Sequence, residues 1–238
     1  MPTGHSNARR VEGGEVETTE IVPPHHRPRA LVIVAHPDDE TLWSGGTIIM
    51  HPGWAWTVAV ASRASDPDRA PRFARAMLQL ATTGKMADVD DGPEQTPLKD
   101  AIVMEAIAGL VTPQEYDLVL THGPDGEYTR HRRHEEVSRA VRTLWSTGAV
   151  AAGELWLFAY EDGGGSHLPR AAHDAHVTLS LPGNTWLKKQ EIIEETYGFA
   201  PESFEARTCP RMEAFWTFRS PDELRKWLAG NGGQSISR

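Results

Sequence analysis

The sequence has a single cysteine, Cys209, among 238 residues. One thiol excludes an intrachain disulfide and a multi-cysteine zinc site, and it fits a reducing, cytoplasmic setting. Long apolar runs are missing as well. The longest, Ala30–Ala35 and Trp54–Ala61, fall far short of the ~20 residues a membrane-spanning helix needs. The first twenty residues hold no apolar stretch, so no secretory leader is expected. Basic residues are in deficit: 24 Lys and Arg face 33 Asp and Glu, a formal net charge of −9. That argues against nucleic acid or an anionic membrane as the main partner. What remains is an ordinary globular composition, 39% hydrophobic and 8% aromatic, in a chain long enough for one large domain with a substantial core.

Residues 1–28 are rich in Gly, Glu, Thr and Pro without apolar periodicity, and read as a flexible arm. His25 and His26 lie there between prolines, a solvated pair. Residues 29–229 read as one domain, and residues 230–238 as a frayed tail. Leu31–Ala35 is a continuous, largely β-branched apolar run, the pattern of a strand buried on both faces. Further strands are expected over Trp56–Ala61, Asp117–Thr121, Glu154–Tyr160 and His176–Leu181. Helices are expected over Arg72–Ala81, Lys99–Val111, His131–Trp145 and Asn184–Tyr197, the last capped by Asn184 or Thr185. Asp162–Ser166, the segment DGGGS, reads as a mobile loop. Strands alternating with helices predict a three-layer α/β fold with a mostly parallel sheet.

Ligands of open α/β sheets bind beyond the carboxyl ends of the strands. The first strand runs straight into His36-Pro37-Asp38-Asp39-Glu40, which places one imidazole and three carboxylates at that edge. Glu40 suits either the site or the start of the next helix, near Thr41. His36 and Asp39 are candidate metal ligands. The absence of further thiols means that a third ligand must be a His, Asp or Glu from another strand end. After Asp117–Thr121 the chain reads HGPDGEYTRHRRHEEV. His131 and His134 there are three apart, on one face of a helix's first turn.

The segment AHPDDE (Ala35–Glu40), followed about ninety residues later by a His-x-x-His, resembles the PIG-L/LmbE-like family of zinc-dependent N-deacetylases, which act on N-acetylglucosamine conjugates. THGPDGEY resembles that family's usual lead-in to the histidines, and weaker similarity runs from about Pro28 to Phe218. The resemblance implies a Rossmann-like fold and one Zn2+ per chain held by His36, Asp39 and His134, with one position open to water. It also implies Asp38 as general base. His131 would donate to the oxyanion and, as general acid, protonate the leaving amine. Arg72, Asp91 and Tyr128 match the family's substrate-binding positions, with Asp90 as an alternative to Asp91. Two departures stand out. Tyr128 lies one position further from the first histidine than in relatives. Arg133 occupies a position that is often acidic.

His122, directly after a strand, reads as a packed or orienting residue behind the site, and Asp125 as a turn residue. His51, His167, His173 and His176 read as surface positions. Lys188, Lys189, Tyr197, Glu213 and Phe215 resemble the family's C-terminal region, which walls the sugar pocket. Trp186, Trp216 and Trp227 suit either stacking on sugar faces or the core. The expected activity is removal of an N-acetyl or N-acyl group from an N-acetylglucosamine-type sugar or its conjugate. Two rivals stay open: a non-catalytic metal- or sugar-binding module, and another metal-assisted hydrolase such as a phosphoesterase. The aglycone and the oligomeric state are not legible.

Overall fold

Strand β1 (Arg29–Val34) is buried over its last five residues. Leu31 and Ile33 enter one hydrophobic core, while Ala30, Val32 and Val34 enter a second on the opposite face. That two-sided burial is what its unbroken apolar run predicts. The computed structural model that describes this arrangement covers residues 27–129 and 131–231. The predicted arm through residue 26, with His25 and His26, and the tail from residue 232 lie outside the described residues.

β1 lies between β2 (Ala55–Val60) and β4 (Tyr116–Thr121), parallel to both. β3 (Thr83–Met86) continues the parallel array beyond β2, and β5 (Ala152–Phe158) continues it beyond β4. β9 (Met212–Phe218) runs antiparallel to β5, and β8 (Val177–Ser180) antiparallel to β9. The sheet order is β3-β2-β1-β4-β5-β9-β8. A separate two-stranded ribbon pairs β6 (Tyr160–Glu161) with β7 (Arg170–Ala171).

Helices α1 (Asp39–Met50), α2 (Arg69–Gln79) and α5 (Gly183–Glu191) belong to one side of the sheet. α3 (Asp100–Leu110), α4 (Arg132–Ser146) and α7 (Pro221–Asn231) belong to the other. The fold is therefore a three-layer α/β sandwich with a mostly parallel sheet. The strand order reverses between β1 and β4, and a crevice opens at such a point beyond the strands' carboxyl ends.

The structure departs from the sequence reading in several places. β3 was not anticipated, because its sequence TGKM is polar and three of its four residues are exposed. α2 begins at Arg69 rather than Arg72. Pro71 falls in its first turn, where a missing N–H costs nothing. α5 starts at Gly183 behind Pro182, with no side-chain cap from Asn184 or Thr185, and passes into a π-helical turn, Ile192–Thr196. α7 reaches Asn231, so Gly230 belongs to a helix. The DGGGS segment forms a defined turn. Gly163, Gly164 and Gly165 all have positive φ, and Asp162 accepts hydrogen bonds from Thr129 N–H and Oγ1 and from Gly164 N–H.

The C-terminal half is pinned to α1 by a fully buried ion pair. Lys189 Nζ and Glu213 Oε1 are 2.7 Å apart. The Glu213 carboxylate also accepts from the backbone N–H groups of Gly46 and Thr47 and from the Thr47 hydroxyl, each at 2.7 Å.

Candidate metal centre and active site

The chain leaves β1 through Ala35 and turns at Asp38, whose φ of +131° is strained for a residue with a Cβ. The turn is held from both sides. The Asp38 carbonyl accepts from Thr41 and Leu42 N–H, and Asp38 N–H donates to Glu40 Oε2 at 3.1 Å. Glu40 is fully buried and braces the Asp38 turn from the start of α1. Its other oxygen accepts from Thr41 Oγ1 and from Tyr197 Oη at 2.5 and 2.7 Å. Among the described residues, four non-glycines have positive φ. Three of them, Asp38, Arg63 and Gln95, line one cavity of about 490 Å³. Strain gathered at one cleft is a mark of a functional site.

His36, Asp39 and His134 meet at the floor of the crevice. His36 Nδ1 lies 3.2 Å from Asp39 Oδ2 and 3.2 Å from His134 Nε2, and His134 Nε2 lies 3.4 Å from Asp39 Oδ2. Ligand atoms about 2.0–2.1 Å from a tetrahedral zinc ion stand ~3.3 Å apart. The three atoms therefore match one face of such a tetrahedron. Two further trios bring their ligand atoms within 4.8 Å of one another: His36, His131 and His134, and the fully buried Asp39, His122 and His134.

Hydrogen bonds fix the rings. Ala35 N–H donates to His122 Nε2 at 2.9 Å, which occupies that lone pair and leaves the proton on Nδ1. His122 Nδ1–H and His134 Nδ1–H both donate to Glu127 Oε2, at 2.8 and 2.6 Å. That leaves Nε2 as the His134 nitrogen facing Asp39 and His36. Glu127 Oε1 accepts from Gly123 N–H at 2.9 Å. His36 Nε2 meets Asp91 Oδ1 at 3.1 Å. Each histidine of the trio thus has a carboxylate behind its outer nitrogen, the arrangement that orients metal-binding imidazoles.

The electrostatics favour positive charge at this point. Burial works against ionisation of Glu127, but the two imidazoles outweigh it and hold its carboxyl down at about 2. Asp39 is likewise buried, and His134 and His122 keep it well below the usual carboxylate range. Burial opposes charge on His134, yet Asp39 and Glu127 push it up to about 10. Asp38 behaves oppositely. Burial and the neighbouring Asp39 charge raise it well above the usual range, as suits a proton acceptor. Burial and the adjacent imidazoles lower His131 to about 3. Its Nδ1 is buried without a hydrogen-bond partner.

The cavity brings together most of the residues singled out in the sequence: His36, Asp38, Asp39, Asp91, Tyr128 and His131 all line it. The Tyr128 ring packs edge-on against His131, His134 and Phe204. Asp91 is already engaged on both oxygens, by His36, Gln95 and the Arg63 guanidinium. His134 and Arg72 do not line it. His134 is fully buried beneath its floor, and Arg72 bonds Asp68 and the Tyr197 carbonyl instead. Because α2 starts one turn early, Arg69 lines the cavity instead, 3.3 Å from Asp38 Oδ2 and stacked on Phe199. Lys189 and Glu213 lie in the buried ion pair described above.

Glu127, Arg63, Arg69 and Gln95 were missed in the sequence. Glu127 serves partners five residues before it and seven after, a spacing that follows no helix or strand period. Its only advance signal is the rule that a metal-binding histidine needs an acceptor on its second nitrogen.

No protein-family profile matches the chain, nor does any curated protein. Solved structures do match. An N,N'-diacetylchitobiose deacetylase from Pyrococcus horikoshii superposes with a TM-score of 0.61 at 14% identity, covering 82% of this chain and 85% of that one. A deacetylase triple mutant from the teicoplanin biosynthetic pathway gives 0.59 at 17% identity, over 82% and 99%. A 4-carboxy-2-hydroxymuconate hydratase from Pseudomonas putida gives 0.52 at 17% identity, over 89% and 90%. At such identities the likeness establishes a shared fold, and this chain has the three-layer α/β fold of those deacetylases and of that hydratase.

Proposed function

We propose that the chain is a zinc-dependent hydrolase that removes the N-acetyl, or another N-acyl, group from an N-acetylglucosamine-type amino sugar or its conjugate, acting in the cytoplasm on a small molecule. The observation that carries the reading is the convergence of His36 Nδ1, Asp39 Oδ2 and His134 Nε2 at tetrahedral-edge spacing beside Asp38, an unliganded buried carboxylate in the same cavity. The resemblance of AHPDDE to the deacetylase family, and the fold shared with two deacetylases, support the same chemistry.

His36, Asp39 and His134 would hold one zinc ion. The chemistry that zinc supplies when bound is Lewis acidity and a lowered pKa for water. Asp38 takes the proton of the attacking water. Its raised proton affinity suits that task, and a positioned base contributes ~10²–10⁴-fold. His131 stands beside His36 at a ring distance of 4.5 Å. Held neutral by burial and the adjacent imidazoles, it donates its N–H to the carbonyl oxygen, and it serves as general acid to the departing nitrogen only after taking up the proton that Asp38 removes from the attacking water. Tyr128 and Phe204 wall one side of the cavity, while Arg69 offers polar contacts to sugar hydroxyls and Asp91, engaged on both oxygens, orients His36 rather than meeting the sugar. Arg72 acts only through Tyr197.

The test is a screen of N-acetylglucosamine conjugates with zinc-loaded protein, measuring free amine and acetate together. Stoichiometric release that is lost on chelation supports the reading, and release unaffected by chelation would sink it. The likeness to a hydratase favours one second reading, water addition to a carbon–carbon double bond of an unsaturated acid. Loss of ultraviolet absorbance without amine release would select it.

A further inference from the structure

Arg133 stands between the two site histidines in sequence, yet it does not line the cavity. Its side chain is 1% exposed. It directs its donors to the segment of residues 90–98. Nε donates to the Asp90 carbonyl at 2.5 Å, and Nη2 donates to the Thr96 carbonyl at 3.0 Å. Nη1 pairs with Glu136, one turn further along α4. Glu136 Oε1 in turn accepts Leu98 N–H at 3.0 Å. A single turn of α4 therefore grips the segment's backbone at both ends.

That segment has no helix or strand of its own. Between its anchors it carries Asp91, Gly92, Pro93 and Gln95, all of which line the cavity. Asp91 is the residue behind His36, and Gln95 steadies it with a 2.9 Å hydrogen bond to Oδ1. Gln95 itself sits at a φ of +45°, a conformation that the surroundings must impose. A buried guanidinium needs every donor answered, and its planar fork suits two carbonyls and a carboxylate at once. A lysine has no such fork.

We infer that Arg133, together with Glu136, is a positioning residue that couples the helix bearing His134 to the loop bearing Asp91. His36 and His134 come from different strand ends, and each depends on a carboxylate behind it. The latch ties the helix that carries His134 to the loop whose Asp91 orients His36. Ordering of the loop and occupancy of the cation site then stabilise each other, as reciprocal coupling requires. The inference rests on His36 and His134 being ligands, and not on which reaction follows.

The experiment uses the full chain and zinc(II) as the probe. Zinc affinity is measured by competition with a chromophoric chelator, and hydrogen exchange is followed at backbone amides between residues 91 and 98 with and without zinc. In the unaltered protein, zinc slows exchange in this loop by about tenfold or more. In Arg133→Met the zinc Kd rises by about 10–100-fold, the cost of disturbing an outer partner, and the zinc-dependent slowing is lost. Arg133→Lys, which keeps the charge but not the fork, gives the same direction and serves if Arg133→Met does not fold. Ser146→Ala, at an exposed position in the last turn of the same helix, leaves both readouts unchanged. A folded Arg133 variant with unaltered zinc affinity overturns the coupling while leaving the ligand assignment standing. Failure of the unaltered protein to bind zinc overturns both.

Discussion

The Tyr197 hydroxyl donates to Glu40 Oε1 at 2.7 Å, and through Glu40 Oε2 this contact reaches the backbone N–H of Asp38. The π-helical turn Ile192–Thr196 immediately precedes Tyr197, and Arg72 fixes the Tyr197 carbonyl. Residues far apart in sequence thus hold the strained peptide of the proposed base. Tyr197→Phe removes one hydrogen bond to a buried carboxyl group, about 1–3 kcal/mol. In a protein of this size that lowers Tm by roughly 2–12 °C. Turnover is expected to fall while zinc content stays stoichiometric. Metal analysis beside a thermal melt checks this, and loss of zinc in the variant would contradict it.

Asp38→Asn is expected to keep zinc and lose about 10²–10⁴-fold in kcat. Asparagine tolerates positive φ better than most residues, so the turn at φ +131° survives the exchange. Asp38→Gly provides the complementary result. It abolishes turnover just as fully but relieves backbone strain. Near-normal amine release by Asp38→Asn would remove Asp38 from the role of base.

Much of this site was legible in the sequence because its signals are local. The apolar run of β1 predicts a doubly buried strand, and AHPDDE sits directly after it. His131 and His134 share a helical turn, and the structure brings both beside His36. What was illegible depends on tertiary contacts. Arg69 escapes the sequence reading because the expected helix starts at Arg72, whereas α2 starts at Arg69 with Pro71 inside its first turn. β3 is a polar edge strand, and its pairing with β2 rather than its composition makes it a strand. Glu127 joins two imidazoles that only the meeting of β4 and α4 puts side by side. The Lys189–Glu213 pair was noticed as two residues, but nothing in their spacing says that they meet in the core.

That pair yields a stability prediction. Lys189→Met leaves the buried Glu213 side chain without its counter-charge, and breaking one side of such a pair costs about 3–5 kcal/mol. The expected fall in Tm is roughly 6–20 °C. Lys189→Met combined with Glu213→Gln should recover part of it, because no unpaired charge is left inside, although the amide keeps an acceptor for only one of the Gly46 and Thr47 N–H groups. A double variant no more stable than the single one would argue that the pair matters only for packing.

Glu127 links metal affinity to acid stability. Its carboxyl is held at about 2 against an ordinary value of 4.5. A group whose pKa is depressed by folding contributes stability that is complete above its unfolded value and lost as pH falls through the folded one. The unaltered apoprotein is therefore expected to lose this contribution between pH 4.5 and about 2. Glu127→Gln lacks this contribution and shows a shallower acid limb in denaturant midpoints across that range. The same variant is expected to weaken zinc by about 10–100-fold, since the amide lacks the negative charge behind both imidazoles and its NH2 group would face the Gly123 N–H that Glu127 Oε1 accepts.

The two overlapping histidine groups make opposite demands on His131, and that contrast decides the ligand set. If His36, Asp39 and His134 hold the cation, His131→Ala keeps it and loses turnover, while His134→Ala loses both. If the three histidines hold it, His131→Ala and His134→Ala lose it alike and Asp39→Asn is mild. The geometry favours the first set. Asp39 Oδ2 closes a triangle with sides of 3.2, 3.2 and 3.4 Å. Asp39 is also fixed by donors that no solvent-facing carboxylate would have, His36 N–H at 2.8 Å and Trp43 Nε1–H at 3.2 Å. His131 lacks such support, because its Nδ1 is buried without a partner. A ligand imidazole normally has its second nitrogen answered, as His36 and His134 do through Asp91 and Glu127. Zinc retained by His131→Ala in equilibrium dialysis, and lost by His134→Ala, is the expected outcome. Loss from both would transfer Asp39 to an outer role and leave His131 a ligand rather than an acid.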